Sequence, residues 1–413
     1  MSFSNFGNRF SQYSAITHLM DDLSEGLSRD DMIMLGGGNP AAIPEVIKIL
    51  QDTAQHLLDN GQLIQAFTNY DASQGKVAFL ESLAEYFNRQ YGWNITRENI
   101  ALTHGSQAAF FSLFNSFGGT KGQSKKHVLL PITPEYIGYS DLGIEDDLFV
   151  SHSPIIESLP DRMFKYHIDF NSLDVNTDTG LICVSRPTNP SGNVLTDKEC
   201  ARLDLLAQSN DVPLLIDNAY GTPFPNIIFS DVSPFWNENT IVSLSLSKLG
   251  LPGVRTGIVV ANKTVIKQLS NITAITSLAP GGTGPAIVNE LLVKQQLTSM
   301  CDDIIRPFYQ ERCDWAVNTL KQVVNDDRLH IHLPEGAIFL WLWFEGLSIT
   351  TSELYQHLKQ AGLLVVPGKY FFPGQDPVSE HAESCIRMNY VQSKEDMLRG
   401  IEILAKVLRR YWA

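Results

Sequence analysis

The sequence has no apolar run long enough to cross a bilayer as a helix. Its longest strongly apolar stretch is GAIFLWLWF, Gly336 to Phe344, far short of the ~20 residues that a spanning helix needs. The N-terminus, MSFSNFGNRFSQYS, lacks the apolar core of a secretory signal peptide. Cysteine is scarce. Cys183, Cys200, Cys301, Cys313 and Cys385 are scattered, odd in number and never spaced as CxxC. That argues against a disulfide framework or a zinc site, and for reduced thiols and a cytoplasmic location. Basic charge is short as well: 31 lysines and arginines face 45 aspartates and glutamates, a formal net charge of −14. With no basic block to offset this, neither nucleic acid nor anionic membrane is an expected partner. No internal repeat or low-complexity segment is visible.

What is present is a chain built to pack. Apolar residues make up 44% of the 413, enough for large cores, and the length allows two or three domains. HVLLPI (127–132), LICVS (181–185), PLLI (213–216), IVSLSL (241–246) and TGIVV (256–260) read as short buried strands. Helical patterns alternate with them. Val77, Leu80, Leu83, Phe87 and Tyr91 share a face, as do Phe110, Phe114 and Phe117, and Thr196 with Glu199 forms a capping box. Such alternation predicts an α/β fold, a parallel or mixed sheet covered by helices on both faces. The C-terminal third reads as a smaller α+β unit. IFLWLWF is followed by a helix near 352–361 ended by Gly362, then LLVVPG, CIRMNYV, and a last helix from Ser393 with Met397, Ile401, Leu404, Leu408 and Trp412 inward. The expected domains are an N-terminal arm (1–45) contributing to the small domain, a large domain (46–300) and a small C-terminal domain (301–413).

The chemistry concentrates in a few places. SLSKLGLPGVRTG, Ser245 to Gly257, sets one lysine, Lys248, among small residues just after a strand. That is the strand end where open α/β sheets bind ligands. A loop lysine is usually only a surface charge. Here Ser245, Ser247 and Arg255 could offer hydroxyls and a guanidinium fork to a phosphate, and the glycines permit close approach. Pyridoxal phosphate needs these parts: a lysine for a Schiff base and an acidic partner for its ring nitrogen. Asp217, ending the apolar run VPLLID, would be such a partner, because a carboxylate at a buried strand end is costly unless paired. Tyr220 could reach the ring's phenolic oxygen. Taken alone, Asp217 reads as a turn or cap residue.

Asn189 sits in the rigid turn SRPTNPSGN, which could hold an amide against a ligand oxygen. Gly105, Ser106 and Gln107 open a helix whose N-terminus suits a phosphate, though a serine N-cap is the commoner use. Arg387, within CIRMNYV, reads as either a buried ion pair or a clamp for a substrate carboxylate. His330 and His332 are strand-face residues without the acidic partners of a metal site, so no metal is expected.

The order Tyr70, Gly105-Ser106-Gln107, Tyr136, Asn189, Asp217, Tyr220, Lys248, Arg255 and Arg387 resembles the fold-type I pyridoxal-phosphate aminotransferases of the aspartate aminotransferase superfamily. The likeness spans most of the chain and includes GGGNP, PEYIGY, IDNAYGTPFP, SLAPGG and RMNYV. It implies a mostly parallel seven-stranded sheet between helices, plus the smaller α+β domain. It also implies amino transfer between a small apolar amino acid such as L-valine and a 2-oxo acid such as pyruvate. By the same resemblance, Lys248 carries the cofactor and then serves as the base, and Asp217 holds the ring nitrogen. Tyr220 and Asn189 bind the phenolic oxygen, and Tyr136 stacks on the ring. Ser106, Gln107, Ser245, Ser247 and Arg255 bind phosphate. Arg387, helped by Gly38 and Asn39, binds the substrate carboxylate. Tyr70 reaches the phosphate of a second subunit, so the resemblance implies a homodimer with shared sites. The best-known members stack a tryptophan where this chain offers Tyr136.

Two other readings stay open. A lyase or decarboxylase of the same fold type would use the same lysine, aspartate and phosphate cup. A regulator using such a domain as an effector sensor needs a DNA-binding segment, and the N-terminal arm is too short and too little basic for one. A nicotinamide site is weaker still, since GGGNP and GGTG do not make GxGxxG.

Overall fold

A computed structural model describes residues 2–12, 14–27, 29, 31–375 and 377–412. Its strands, numbered along the chain, are β1 (Ile33–Met34), β2 (Ile100–Thr103), β3 (Gly119–Lys121), β4 (Ser124–Leu130), β5 (Phe149–Ser151), β6 (Ile155–Leu159), β7 (Met163–His167) and β8 (Thr179–Ser185). They continue as β9 (Leu214–Asp217), β10 (Thr240–Ser245), β11 (Gly257–Val260), β12 (Leu329–His332), β13 (Phe339–Phe344), β14 (Leu363–Leu364), β15 (Val366–Pro367) and β16 (Cys385–Asn389).

The large sheet runs β2-β11-β10-β9-β8-β4, with β5 beside the end of β4. Its pairings are parallel except at β11, which lies antiparallel to both β10 and β2. These are the seven mostly parallel strands expected; the short β3 adds an eighth as a hairpin on β4. Apolar residues fill β8 to β11 because both faces are covered. On one side Ile258 and Val260 belong to the same buried core as Phe79, Leu80 and Leu83 of helix Val77–Tyr91. Val259 faces Phe110 and Phe114 of helix Ser106–Phe117 on the other side. Thr196 and Glu199 form the expected capping box at the start of helix Asp197–Ser209.

A second sheet runs β15-β16-β13-β12-β7-β6. Four of its strands come from the C-terminal third, but the β6–β7 hairpin comes from residues 155–167, inside the span expected to belong wholly to the large domain. β7 pairs parallel with β12, Met163 beside Ile331. It is anchored by side chains: Trp341 Nε1 donates to Tyr166 Oη at 2.8 Å. No local pattern reveals a pairing between strands so far apart in sequence.

The N-terminal arm touches both units. Helix Asn5–Phe10 sets Phe10 against Phe111, ring centroids 5.7 Å apart, and Arg9 donates to Gly143 O at 3.1 Å. Helix Ala15–Leu27 packs on helix Thr351–Gln360, where Lys359 bridges Asp22 and Glu25 at 2.7 Å each. Residues 35–38 then run between β16 and the turn after β10: the Asn389 amide donates to Leu35 O at 2.7 Å, and Lys248 Nζ to Gly38 O at 2.6 Å.

Candidate active site

Lys248 lies in a short 3₁₀ turn, Ser247–Leu249, directly after β10. Gly250 ends the turn at φ 102°, a conformation that favours glycine. The lysine Nζ donates to Gly38 O at 2.6 Å and lies 5.3 Å from the centre of the Tyr220 ring. Burial, and then the cations Arg387 and Arg255 nearby, pull its pKa down to about 8, while Asp217 pulls the other way. A lysine so placed is available as a neutral base.

Asp217 ends β9 and is 7% exposed. Its Oδ2 accepts from Tyr139 Oη at 2.7 Å and its Oδ1 from the Ala219 amide at 3.1 Å. Burial pushes its pKa up to about 6, against these two hydrogen bonds and Lys248. Its hydrogen-bond partners are a phenol and an amide, not a cation. A protonated pyridine nitrogen would supply the missing charge.

Arg387, in the middle of β16, is 2% exposed. Its Nη1 donates to Asn189 Oδ1 and its Nη2 to Gly36 O, both at 2.7 Å. Among the described residues its Nε is buried without a partner. The guanidinium lies 4.1 Å from the centre of the Phe339 ring and 5.0 Å from that of Phe371. Burial lowers its pKa to about 10. The buried ion pair considered from sequence is not what the structure contains: the partners are an amide oxygen and a backbone carbonyl. A buried cation with neutral partners and an idle N–H suits an incoming carboxylate.

The third part of the site is a cradle. Gly105, not Ser106, is the N-cap of helix Ser106–Phe117, and among the described residues no side chain caps it. A Cβ at Gly105, where φ is 80°, would sit 2.4 Å from Arg255 Nη2, so only glycine lets the guanidinium lie there. An uncapped helix start beside an arginine is an anion site. The neighbouring side chains brace it. Ser106 Oγ donates to Leu244 O at 3.1 Å, Gln107 Nε2 to Gly138 O at 2.9 Å, and Ser245 Oγ accepts from the Ser247 amide at 3.1 Å. Tyr136 meets Tyr139 edge to face at 5.4 Å. These observations match the requirements of pyridoxal phosphate: an unpaired buried acid, a poised lysine, and a cradle that a Cβ would fill.

Not every expected residue converges here. Tyr70 is 85% exposed, and Asn39 is exposed as well. The structure adds Tyr139, Phe339, Phe371 and Glu135 to this neighbourhood. Glu135 is fully buried, accepts from the Ser185 amide at 2.8 Å, and is pushed up to about 8 by burial. Tyr139 carries a local signal, since PEYIGY repeats a tyrosine three residues after Tyr136. Its hydrogen bond holds down the Asp217 pKa, so Tyr139→Phe should raise it. We expect turnover to fall about tenfold and the acid limb of the pH–rate profile to move upward. An unmoved limb would show the hydroxyl to be structural only.

This architecture and this cluster define an aminotransferase of fold type I. Residues 30–404 match the family described as aminotransferase class I and II, and the chain belongs to it. It is 51% identical over 414 residues to valine–pyruvate aminotransferase of Escherichia coli (strain K12), covering 100% of this chain and 99% of that protein. The crystal structure of valine-pyruvate aminotransferase from Salmonella typhimurium LT2 is 50% identical, with a TM-score of 0.90 over 96% of this chain and 99% of that one. Aspartate aminotransferase from Thermus thermophilus with maleate, at 22% identity, shares the fold: TM-score 0.79 over 99% of this chain and 100% of that one.

Proposed function

We propose that this protein is a pyridoxal-phosphate-dependent aminotransferase that moves an amino group between L-valine, or a similar small apolar amino acid, and pyruvate. The products are 3-methyl-2-oxobutanoate and L-alanine. The observation that carries the chemistry is that Asp217 and Arg387 both lie close enough to Lys248 for their charges to act on it. The full-length identity with valine–pyruvate aminotransferase supports the substrates.

Pyridoxal phosphate, when bound, supplies the electron sink that makes the Cα proton of an amino acid removable. Asp217 would hold its ring nitrogen, Tyr220 and Asn189 its phenolic oxygen, and Tyr136 its face. Ser106, Gln107, Ser245, Ser247 and Arg255 would hold its phosphate. Arg387 orients the amino acid by its carboxylate, with the Gly38–Asn39 backbone alongside, so that the Cα–H faces Lys248. Lys248 Nζ, neutral through burial and its cationic neighbours, takes that proton. The aromatic walls Phe339 and Tyr220 keep water from the base.

Tyr70 would serve the phosphate of a second copy. Its exposure fits this, as does its setting: Ile64, Phe67, Ile275 and Leu278 are also exposed apolar residues. Gly282 lies against Ala66 and Asp71, so the two segments adjoin. We assign a homodimer on this face. A cytoplasmic location fits the five cysteines, all unpaired and buried. Among the described residues no helix is long and apolar enough to cross a membrane.

Two measurements test this reading. The visible absorption of the loaded protein should bleach with L-valine and return with pyruvate; a band indifferent to every amino acid would overturn it. The rate at which unloaded protein takes up pyridoxal phosphate should rise with pH and level off above about 8, because only neutral Lys248 reacts. A rate still climbing about tenfold per pH unit between pH 8 and 10 would contradict the lowered lysine pKa.

A further inference from the structure

Gly36 and Gly38 look alike in sequence but differ in what they leave empty. A Cβ at Gly36 would strike Leu364 Cδ2 at 2.8 Å and Val365 O at 3.1 Å, so packing demands glycine there. A Cβ at Gly38 would meet only Phe339 Cζ at 3.8 Å and Lys248 Nζ at 3.9 Å, ordinary contact distances. Nor does Gly38 have the positive φ that would require glycine. The fold therefore tolerates a side chain at Gly38, and its absence leaves room beside the base.

The position of that room is informative. Phe339, wholly buried, has its ring 4.1 Å from the Arg387 guanidinium carbon and edge-on to Tyr220, centroids 6.0 Å apart at 75°. The space next to Gly38 is thus bounded by Lys248 and by the ring that stacks on Arg387. A bound amino acid has its carboxylate at Arg387 and its Cα at Lys248, so a further substituent of Cα must occupy a space of this kind. We infer that Gly38 and Phe339 set the upper size limit of the amino-acid side chain, Gly38 as the gap and Phe339 as the far wall. This rests on the aminotransferase reading above.

The test is a size profile in two variants chosen to act in opposite directions. For holoenzyme, kcat/KM is measured with L-alanine, L-valine and L-leucine. Gly38→Ala narrows the space, so the valine-to-alanine ratio should fall about tenfold. Phe339→Leu opens it, so the leucine-to-valine ratio should rise about tenfold; both follow from the worth of one methyl-sized change in an apolar pocket. Absolute rates are not the readout, because both residues touch the catalytic groups. Calorimetric binding of propionate, isovalerate and 4-methylvalerate, which carry the same side chains without an amino group, should show the same two shifts.

Ratios that move oppositely in the two variants support the gate. Ratios that stay at the wild-type value, or losses equal for all three amino acids, overturn it and leave Gly38 and Phe339 as packing residues. If Phe339→Leu does not fold, Gly38→Ala and the carboxylate series decide alone. A wild-type protein that reacts with no amino acid would remove the aminotransferase reading and the gate with it, whereas reacting wild type with unshifted ratios removes only the gate.

Discussion

Lys248→Ala abolishes turnover, by at least about 10⁴-fold, and leaves the fold standing. The size of the loss follows from the lysine's double task, attachment of the cofactor and proton transfer at Cα; a positioned general base alone is worth about 10²- to 10⁴-fold. The survival of the fold follows from its surroundings. The side chain makes one hydrogen bond, to Gly38 O, and remains partly exposed. Its ammonium is repelled by Arg387 and Arg255. The folded pKa of about 8 lies below the ordinary 10.5, so folding expels a proton between these values. The stability of the unloaded protein therefore rises with pH across that window, and below about 8 the full cost of the charge is present. The alanine variant has no such charge. At pH 7 its unfolding temperature should equal or exceed that of the unloaded wild type, and its stability should lose the rise between pH 8 and 10. Near-normal turnover would sink the assignment of Lys248; a collapsed circular-dichroism spectrum would show that its role is structural.

Local sequence patterns alone make part of this site legible. Lys248 and Asp217 stand out because charges at the ends of branched apolar strands are rare unless used, and both strands lie within one residue of the spans read, ending at Asp217 and Ser245. Arg387 stands out as a charge in the middle of a strand whose every residue is buried. What stayed hidden depends on contacts between distant segments. Phe339 reads as core, and it is core; only the fold shows that its ring also faces Arg387. Tyr139 acquires meaning through an oxygen 78 positions away. Ser106 reads as an N-cap, but Gly105 holds that position, with Arg255 in the space beside it, and Ser106 is the first residue of the helix. The β6–β7 hairpin escapes for the reason all non-local pairing does: its partner strand is not its neighbour in sequence. Tyr70 is legible only as an exposed aromatic until a second subunit is considered.

Asp217→Asn separates charge from shape at the other end of the cofactor site. The substitution is close to isosteric. An asparagine oxygen can still accept from Tyr139 or from the Ala219 amide, so the turn after β9 keeps its geometry. What disappears is a negative charge that burial already disfavours, as its rise from 3.8 to about 6 shows. The sign of the stability effect follows. Folding takes up a proton between these two values, so the unloaded wild type gains stability as pH falls from about 6 toward 4. At pH 7 it carries an ionised, unpaired carboxylate; the asparagine variant does not, and should be at least as stable there, without the gain at lower pH. Function should move the other way. A neutral amide cannot keep a pyridine nitrogen protonated, and removing one charge-stabilising group from a water-poor site costs about 10²- to 10³-fold in kcat. We expect about 10³-fold, with cofactor still taken up through Lys248. Loss of turnover with an intact or raised unfolding temperature marks Asp217 as an electronic partner of the ring. A parallel loss of stability would mean that the carboxylate is needed by the protein itself, and the case for a cationic ring nitrogen at that strand end would fail.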